Sequence, residues 1–252
     1  MPTTASPAEI RDDFDAMAPL MRDRLGPHET WLLRQLPRGR ASALEIGCGA
    51  GTMARRLAQS FDQVDAIDFS AAMIDEARRR TPPPVNFVCA DLFDWLRDHG
   101  GAYDCIVTVS TLHHVDLAAA LRAMARSLKP GGRLLVLDVM SRPGWRHLPL
   151  NALAYAAGIR PTVPWKLRQA FWRHGRNETY LTIDEARRIA GAALPGARVD
   201  AHLFWRYSIV WDASRVLGGE TPPIRRAGRR RYAVSIISAG MSKFDQTFCT
   251  SS

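Results

Sequence analysis

Cysteine is scarce in this chain, and its spacing does not match the sites that cysteines usually build. The four cysteines are far apart, at positions 48, 89, 105 and 249. No C-x-x-C pair is present, so neither a disulfide framework nor a zinc site is indicated. We therefore expect a reduced, cytoplasmic protein with buried thiols and no metal site.

Long hydrophobic runs are also missing. The N-terminal stretch MPTTASPAEIRDDFD lacks the apolar centre of a signal peptide. The longest mildly apolar stretch, LPLNALAYAAGI at residues 148–159, is shorter than the roughly 20 residues that span a bilayer. We accordingly predict a soluble protein without a membrane span.

The positive charge is unevenly distributed, which argues against a general basic binding face. The net charge is +9, and residues 214–252 supply +5 of it through seven basic residues and two acids. The run Arg229–Arg231 has no interleaved aromatic residues and no recognisable nucleic-acid motif. We interpret residues 214–252 as a basic, flexible tail after a single domain at residues 1–213, and we expect no nucleic-acid partner.

Short apolar runs alternate with amphipathic segments between residues 42 and 138. The runs predicted as strands are SALEIGC (42–48), QVDAIDF (63–69), VNFVCA (85–90), YDCIVTVS (103–110) and RLLVLDV (133–139). They are apolar on both faces, as is typical of parallel strands covered by helices on each side. A helix at 182–194 and a tight hairpin around Trp205–Arg206 follow, and the hairpin predicts an antiparallel last strand. The expected fold is a doubly wound α/β sheet of seven mostly parallel strands.

Polar residues mark the predicted starts of three helices. Ser70 precedes AAMIDEARRR, Asp116 precedes LAAALRAMARSL, and Thr182 forms a capping box with Glu185. The segment GTMARRLAQSF (51–61) is also predicted as a helix. The segment KPGG (129–132) is predicted as the turn before the fifth strand.

The stretch ALEIGCGAGT at residues 43–52 ends a strand, places three glycines in five positions and opens a helix. Glycine tolerates positive φ and lets a ligand approach the backbone, and a helix start offers unpaired N–H donors. Asp68 lies 19 residues after Gly49, at the end of the second strand, where an acid can bind ribose hydroxyls. Together these features predict an adenosine-type ligand at the carboxyl ends of the strands.

Two common nucleotide motifs are absent from this glycine-rich turn. The dinucleotide fingerprint G-x-G-x-x-G/A has Gly or Ala at its sixth position, where this chain has Thr52. A Walker sequence is missing as well, which disfavours a nucleoside triphosphate enzyme. An NAD-dependent oxidoreductase shares the acid after the second strand and stays an alternative. It would normally add a Tyr-x-x-x-Lys motif or a second catalytic domain, and neither is visible.

Five segments, in order and with this spacing, resemble the class I S-adenosylmethionine-dependent methyltransferases over about residues 42–212. They are LEIGCGAG, VDAIDFSAAMIDEAR, CADLFD, YDCIVTVSTLHHV and LKPGGRLLVLD. The resemblance implies a Rossmann-like fold, S-adenosyl-L-methionine as cofactor, and direct methyl transfer to a small-molecule acceptor. A non-catalytic relative that keeps the cofactor fold is a second alternative.

The resemblance also implies roles at the methionine end of the cofactor. Gly47, Gly49 and Gly51 would let the methionine portion lie against the backbone. Glu45 would lie near its ammonium group. Ser110, after the fourth strand, would lie near the methionine carboxylate or the sulfonium.

At the adenosine end, the resemblance implies that Asp68 accepts from both ribose hydroxyls and that Phe69 packs beside the adenine. Asp91 and Leu92 would contact the adenine edge and ring. Asp91 has a simpler alternative, because either it or the nearby Asp94 can serve only as the cap of a short helix.

Two adjacent histidines, His113 and His114, follow the fourth strand, so at least one imidazole is expected to face the substrate. Either can act as a general base, since an imidazole titrates near neutral pH, and we favour His114 over His113. The alternative is a structural pair, because displacement from an activated sulfonium needs mainly positioning. Neither histidine has further ligands at metal-binding spacing.

An aromatic insertion is predicted at about residues 141–180. Its aromatic residues include Trp145, Tyr155, Trp165, Phe171 and Trp172. In the family that the chain resembles, an insertion here often caps the substrate, and ordinary packing of a small subdomain is the alternative. The insertion suggests a hydrophobic or aromatic acceptor. The resemblance also suggests that residues 14–19 form a helix that closes over the cofactor. We expect a monomer or a homodimer.

Overall fold

The structure is a computed structural model that describes residues 7–141, apart from 22, 39 and 81–83, and residues 180–213. It also describes the isolated residues 149 and 152. Most of the predicted insertion and all of the predicted tail at 214–252 lie outside these residues. In the described part of the chain, no helix is both long and apolar enough to cross a membrane.

Seven strands in the described residues form one sheet. Their bounds are β1 Ser42–Ile46, β2 Gln63–Asp68, β3 Val85–Cys89, β4 Tyr103–Val109, β5 Leu128–Val139, β6 Arg198–His202 and β7 Arg206–Asp212. The strand order is β3-β2-β1-β4-β5-β7-β6. Strands β1 to β5 pair in parallel, whereas β7 pairs antiparallel with both β5 and β6. The predicted doubly wound, mostly parallel sheet with an antiparallel last strand is confirmed.

Helices connect the strands and cover both faces of the sheet. Their bounds are α1 Pro7–Met17, α2 Pro27–Leu33, α3 Thr52–Leu57, α4 Ala71–Arg80, α5 Leu92–Asp98, α6 Leu117–Ser127 and α7 Ile183–Ala193. Ser70 and Asp116 each accept a hydrogen bond from a backbone N–H in the first turn of the helix that follows. Thr182 forms the predicted capping box with Glu185. All three predicted helix starts are therefore confirmed.

Each strand contributes side chains alternately to two apolar cores. In β1, Leu44 and Ile46 belong to the core that α5, α6 and α7 cover, whereas Ala43 belongs to the core under α2, α3 and α4. In the central strands β1 and β4 neither face meets water, so their sequences are nearly unbroken apolar runs. Two carboxylates inside the strands are almost completely buried: Glu45 in β1 is 2% exposed, and Asp138 in β5 is 0% exposed. Burying a carboxylate is costly without a partner, so both positions call for an explanation.

Two predicted boundaries were wrong. The segment predicted as a turn at 129–132 is part of β5, which pairs first through Leu128 and resumes at Arg133 after a register shift. Gly131 lies within this irregularity with a φ of +80°. The helix predicted at 51–61 ends at Leu57, because the following residues make tighter turn bonds, such as Ser60 N–H to the Leu57 carbonyl.

Candidate functional site

The carboxyl ends of β1, β2 and β4 meet where the strand order reverses direction, which leaves a crevice at that edge of the sheet. The glycine-rich turn between β1 and α3 forms one side of this crevice. Gly47, Gly49 and Gly51 have φ values of +70°, +51° and +76°. An L side chain is strained in this conformation, so the turn needs glycine whether or not a ligand is bound.

Packing within the protein adds a second requirement at two of these glycines. A Cβ atom at Gly47 would lie 2.1 Å from Oγ1 of Thr111, and one at Gly51 would lie 2.8 Å from the Phe87 ring. Gly49 is less crowded, with its nearest neighbour 3.7 Å away in the Met21 side chain. Gly51 thus lets α3 approach β3, whereas Gly47 lines the crevice itself.

Asp68 ends β2, and its carboxylate holds the glycine-rich turn against that strand. Oδ2 accepts a hydrogen bond from the Gly49 N–H at 2.8 Å, and Oδ1 accepts one from the Ser70 N–H at 2.9 Å. Burial raises the pKa of Asp68 to about 6, although both backbone donors act to lower it. The side chain lines the crevice, so its remaining lone pairs can accept from a ligand.

Asp91 caps a helix and lines the crevice as well. Its Oδ1 accepts hydrogen bonds from the N–H groups of Phe93 and Asp94, at 2.8 and 3.2 Å, at the start of α5. Its Oδ2 has no donor among the described residues, and both Asp91 and Leu92 line the crevice. Asp94 is exposed and pairs with Arg97 at 2.8 Å. Asp91 is therefore the acid in this segment that can meet a ligand.

The crevice contains a cavity of about 660 Å³, including its mouth toward solvent. Six residues predicted from the sequence line it: Gly47, Asp68, Phe69, Asp91, Leu92 and His114. Apolar side chains supply much of the remaining wall, namely Ile10, Ile46, Ile67, Ala90 and Val115. Five predicted residues lie outside this lining: Glu45, Gly49, Gly51, Ser110 and His113.

Helix α1 forms the outer wall of the cavity, where Ile10 contributes to the lining. Phe14 packs edge-on against Phe69, with ring centroids 5.6 Å apart. Asp15 accepts a hydrogen bond of 2.5 Å from the Ser70 hydroxyl and so attaches α1 to the end of β2. The predicted helix at 14–19 is thus the end of a longer helix, α1, and a 3₁₀ turn, and its closure over a ligand stays a prediction.

Glu45 lies beneath the first turn of α3, where it accepts a hydrogen bond from the Ala54 N–H. Its Oε2 has no hydrogen-bond partner among the described residues. Burial, reinforced by the negative charge of Asp68, raises the pKa of Glu45 well above its usual value. A buried carboxyl with one unsatisfied oxygen is suited to a cationic group of a ligand.

Ser110 follows β4 with a φ of +56°, and its side chain is engaged by β7. Nη1 of Arg206, the first residue of β7, donates a hydrogen bond to Ser110 Oγ. The Ser110 N–H donates to the Leu137 carbonyl at 2.8 Å, which fixes the backbone at the end of β4. The neighbouring Thr111, instead of Ser110, lines the cavity.

The two histidines lie side by side in the short 3₁₀ turn after β4, with ring centroids 4.0 Å apart. His114 lines the cavity and packs edge-on against Phe14, with ring centroids 5.6 Å apart. His113 lies outside the lining, and its ring centroid is 5.3 Å from that of Tyr180. The pair therefore spans from the cavity toward the side where Tyr180 lies.

His113 forms a pair with Asp138, which is fully buried near the end of β5. Its Nδ1 is 2.6 Å from Oδ1 of Asp138, an oxygen that also accepts from the Val139 N–H at 2.7 Å. A carboxylate at Nδ1 favours the tautomer that carries its proton there and leaves Nε2 as an acceptor. Nε2 of His113 makes no hydrogen bond to any residue in the described ranges, so it can take a proton from a ligand.

Three residues at this edge of the sheet were not identified from the sequence: Thr111, Asp138 and Arg206. An acid inside the apolar run RLLVLDV is the same signal that marked Glu45, so Asp138 was detectable. No local pattern marks Arg206, because its contact with Ser110 joins residues 96 positions apart. Across the residues that the structure describes, no three His, Cys, Asp or Glu side chains are grouped to hold a metal ion.

Comparisons with known proteins agree with this geometry. The profile of a family described as a methyltransferase domain matches residues 43–132, from β1 into β5. An uncharacterized methyltransferase of Mycobacterium tuberculosis is 29% identical over 194 residues, which cover 74% of this chain and 94% of the relative. A ubiquinone biosynthesis O-methyltransferase of Xanthomonas oryzae pv. oryzae is 28% identical over 164 residues, or 60% and 69% of the two chains.

The fold also has solved relatives. An S-adenosylmethionine-dependent methyltransferase from Mesorhizobium loti superposes with a TM-score of 0.53. The match covers 73% of this chain and 96% of that chain at 19% sequence identity. At this identity the likeness establishes the fold and leaves individual residue roles to the geometry of this chain.

Proposed function

Because the chain belongs to the class I S-adenosylmethionine-dependent methyltransferases, we propose that it methylates a small-molecule acceptor by direct in-line transfer. The observation that carries the proposal is the cavity, which combines apolar walls with Asp68, Asp91 and the glycine-rich turn. The relative named as an O-methyltransferase of ubiquinone biosynthesis also supports a small-molecule acceptor. S-adenosylhomocysteine is the expected coproduct.

The residues that line the cavity fit the adenosine half of the cofactor, and Gly47 and Glu45 offer groups for the methionine half. Asp68 has lone pairs available for the ribose hydroxyls, and Oδ2 of Asp91 is available for the adenine amino group. Phe69 and Leu92 give apolar surface to the adenine ring. The unsatisfied Oε2 of Glu45 supplies a negative partner for the ammonium group on the other side of the glycine-rich turn.

The bound cofactor supplies a methyl group on a positively charged sulfur, which a nucleophile can displace without further activation of the donor. The protein then has to hold the acceptor in line and keep water away. Helix α1 contributes to both tasks, because Ile10 and Phe14 cover the cavity at Phe69. Thr111 and His114 form the wall at the end of β4, next to the position proposed for the reacting centre.

An acceptor that must lose a proton needs a base beside the reacting centre, and the geometry favours His113 for this role. Asp138 orients the His113 ring through Nδ1, and Nε2 is available to take the acceptor proton. His114 lines the cavity beside His113 and is assigned to shaping the site.

Replacing Glu45 with glutamine is expected to stabilise the free protein and to weaken S-adenosylhomocysteine binding. A carboxyl whose folded-state pKa is raised binds its proton more tightly when folded, so at neutral pH it lowers the free energy of unfolding. Glutamine removes that cost and keeps an oxygen for the Ala54 N–H. We expect a rise in Tm of about 2–4 °C for each kcal/mol gained. The dissociation constant should rise about tenfold through loss of the charged partner.

Glu76 in α4 provides the matched control for this substitution. It is also a buried acid, but it forms ion pairs with Arg79 and Arg80. Glu76→Gln should therefore lower Tm and leave S-adenosylhomocysteine affinity unchanged. Calorimetry of each variant with and without S-adenosylhomocysteine gives both quantities. A fall in Tm for Glu45→Gln, with unchanged affinity, would remove Glu45 from the cofactor site.

Thermal unfolding with two ligands tests the proposed function against its main alternative. S-adenosylhomocysteine at 100 times its dissociation constant should stabilise the protein by about 2.7 kcal/mol, because it binds only the folded state. NAD at the same concentration should leave Tm unchanged. The opposite pattern would favour an oxidoreductase and contradict the methyltransferase assignment.

Turnover distinguishes an enzyme from a relative that only binds the cofactor. The full chain is incubated with S-adenosylmethionine labelled on the methyl group and with sets of phenols, amines, thiols and carboxylic acids. Label transferred to one set identifies the acceptor class and the atom methylated. Cofactor binding without transfer to any small molecule would count against the proposed acceptor class.

A further inference from the structure

Arg206 lies outside the lining of the cofactor cavity but contacts Ser110, the residue before the lining residue Thr111. It opens β7 opposite Val139, at the carboxyl end of β5. Its guanidinium extends past β5 and donates to Ser110 Oγ at the end of β4. The next residue, Thr111, lines the cofactor cavity. The guanidinium thus lies beside the proposed reacting centre.

The charge of Arg206 has no acidic partner in the described parts of the chain. Other arginines near the sheet edges do have one: Arg55 pairs with Asp23 at 2.7 Å, and Arg133 pairs with Asp212 at 2.6 Å. Arg206 is half-buried and makes its hydrogen bond to a neutral hydroxyl. Burial and then the charge of Arg206 lower the pKa of the nearby His28, whereas Glu29 raises it, so the Arg206 charge lies close to that imidazole.

The backbone before Arg206 is held in an unfavourable conformation. Phe204 and Trp205 both have a φ of +57°, in the left-handed region that bulky side chains seldom adopt. The Met140 N–H donates to the Trp205 carbonyl at 2.9 Å and anchors this turn to the end of β5. Positive φ at two successive residues is what a tight hairpin turn requires, and the pairing of β6 with β7 holds them there. Here the strained turn fixes the start of β7 and with it the position of Arg206.

We propose that Arg206 is an anion-binding residue that holds a carboxylate or phosphate group of a ligand beside Ser110. A guanidinium presents five N–H donors in a planar fork that matches such oxyanions, and the bond to Ser110 uses one of its nitrogens. The proposal rests on the proposed function, because a methyltransferase site holds two ligands that can carry such an anion. One is the amino-acid carboxylate of the cofactor, and the other is an acidic group on the acceptor.

The first measurement separates the cofactor from other sources of the anion. Arg206→Gln keeps a donor near Ser110 and removes the charge. If the cofactor carboxylate is the anion, affinity for S-adenosylhomocysteine falls about 10–100-fold. Affinity for 5′-methylthioadenosine, which lacks the amino-acid portion, stays unchanged. Isothermal titration calorimetry gives both dissociation constants.

The second measurement addresses the acceptor. The protein is saturated with S-adenosylhomocysteine and titrated with benzoate and with inorganic phosphate. If the acceptor supplies the anion, one of these binds the wild-type complex and its affinity falls at least tenfold in Arg206→Gln, while Arg206→Lys retains part of it. S-adenosylhomocysteine affinity is then the same in both variants and in the wild type.

Arg198→Gln is the matched control. Arg198 opens the neighbouring strand β6, at the opposite end of the hairpin, and pairs with the partly exposed Asp200 at 3.0 Å. Removing the Arg198 charge should leave the affinities for S-adenosylhomocysteine, 5′-methylthioadenosine, benzoate and phosphate unchanged. The proposal is overturned if Arg206→Gln binds S-adenosylhomocysteine as the wild type does and no anion binding depends on Arg206. Failure of the wild type to bind S-adenosylhomocysteine at all would instead contradict the proposed function.

Discussion

Replacing His113 with alanine is expected to lower kcat by about 10²–10⁴-fold, the usual contribution of a positioned general base. The imidazole is held through its Nδ1 by Asp138 at 2.6 Å, and alanine removes the only atom proposed to take the acceptor proton. Affinity for S-adenosylhomocysteine should stay within about twofold, because His113 lies outside the cavity lining. Initial rates with labelled S-adenosylmethionine and calorimetry with S-adenosylhomocysteine measure the two quantities.

Asp138→Asn tests whether the carboxylate acts through His113. The amide oxygen can still accept from the Val139 N–H and from Nδ1, so the ring keeps its orientation but loses its carboxylate partner. We expect a smaller loss in kcat than for His113→Ala and an unchanged KM for the acceptor. In the double variant, the Asp138 substitution should have no further effect on kcat, since both residues act on the same proton.

His99 offers a control for the loss of an imidazole. It stacks on Trp95, with ring centroids 4.0 Å apart, and lies near Tyr103 at the amino end of β4. His99→Ala should therefore leave kcat unchanged. If His113→Ala also retained full kcat, positioning alone would account for catalysis, and the pair with Asp138 would be structural.

The fold was predictable because local sequence features determine its topology. Parallel strands buried on both faces require apolar runs such as ALEI and CIVTV, and the intervening helices start at polar caps such as Asp116. The start of β5 was predicted wrongly because KPGG has the composition of a turn. Its inclusion in β5 depends on the pairing of Leu128 and Arg133 with β4 and on the hydrogen bonds of Gly131 and Gly132 to Ala213, which follows β7.

The adenosine half of the candidate site was predictable for a similar reason. Asp68, Phe69, Asp91 and Leu92 immediately follow strands, and the carboxyl ends of parallel strands meet at one edge of the sheet. The direction of a side chain after a strand is harder to predict. Ser110 takes a φ of +56° and contacts Arg206, and this leaves Thr111 to line the cavity.

The other half of the candidate site depends on contacts between distant parts of the chain. His113 meets Asp138 across 25 residues, because β4 and β5 are neighbours in the sheet. Arg206 reaches Ser110 because β7 lies next to β5. From the sequence, His114 and His113 differ as candidate bases only in their position. Their side-chain partners in the structure distinguish them. The proposed catalytic end of the site is thus defined by the packing of the sheet and not by a local motif.

Replacing Asp68 with alanine is expected to weaken S-adenosylhomocysteine binding by about 10²–10⁴-fold. The proposed bonds to the two ribose hydroxyls are charge-assisted, and such bonds contribute roughly 1.5–3 kcal/mol each. The substitution also removes the acceptor of the Gly49 and Ser70 N–H groups, so folding has to be verified by unfolding curves without ligand. Asp68→Asn is the milder second variant, because its amide keeps one oxygen acceptor.

Asp65 on the same strand gives the matched control. Its carboxylate accepts from Asn86 and Tyr103, both at 2.8 Å, and it lies outside the cavity lining. Asp65→Asn should leave S-adenosylhomocysteine affinity unchanged. An equal loss of affinity in both Asn variants would mean that β2 is perturbed as a whole and that Asp68 has no specific role.

The pKa of Asp68 makes a further prediction in which stability and affinity change in opposite directions. The pKa is raised to about 6 in the folded protein, from an ordinary value of 3.8. As pH falls through 6, the folded state takes up a proton, so the Asp68 contribution to the free energy of unfolding increases. The ionised form accepts the ribose hydroxyls, so the dissociation constant for S-adenosylhomocysteine should rise by up to about tenfold per pH unit below 6.

Asp68→Asn should remove both pH dependences, because its amide does not titrate. Calorimetry and unfolding curves between pH 7 and about 4.5, with the variant subtracted from the wild type, isolate the two effects of this one group. If the wild type binds S-adenosylhomocysteine with the same affinity over this whole pH range, ionised Asp68 has no role in holding the ribose. Opposite slopes for stability and affinity, both absent in Asp68→Asn, would show that one buried carboxylate limits the stability of the free protein in order to bind its cofactor.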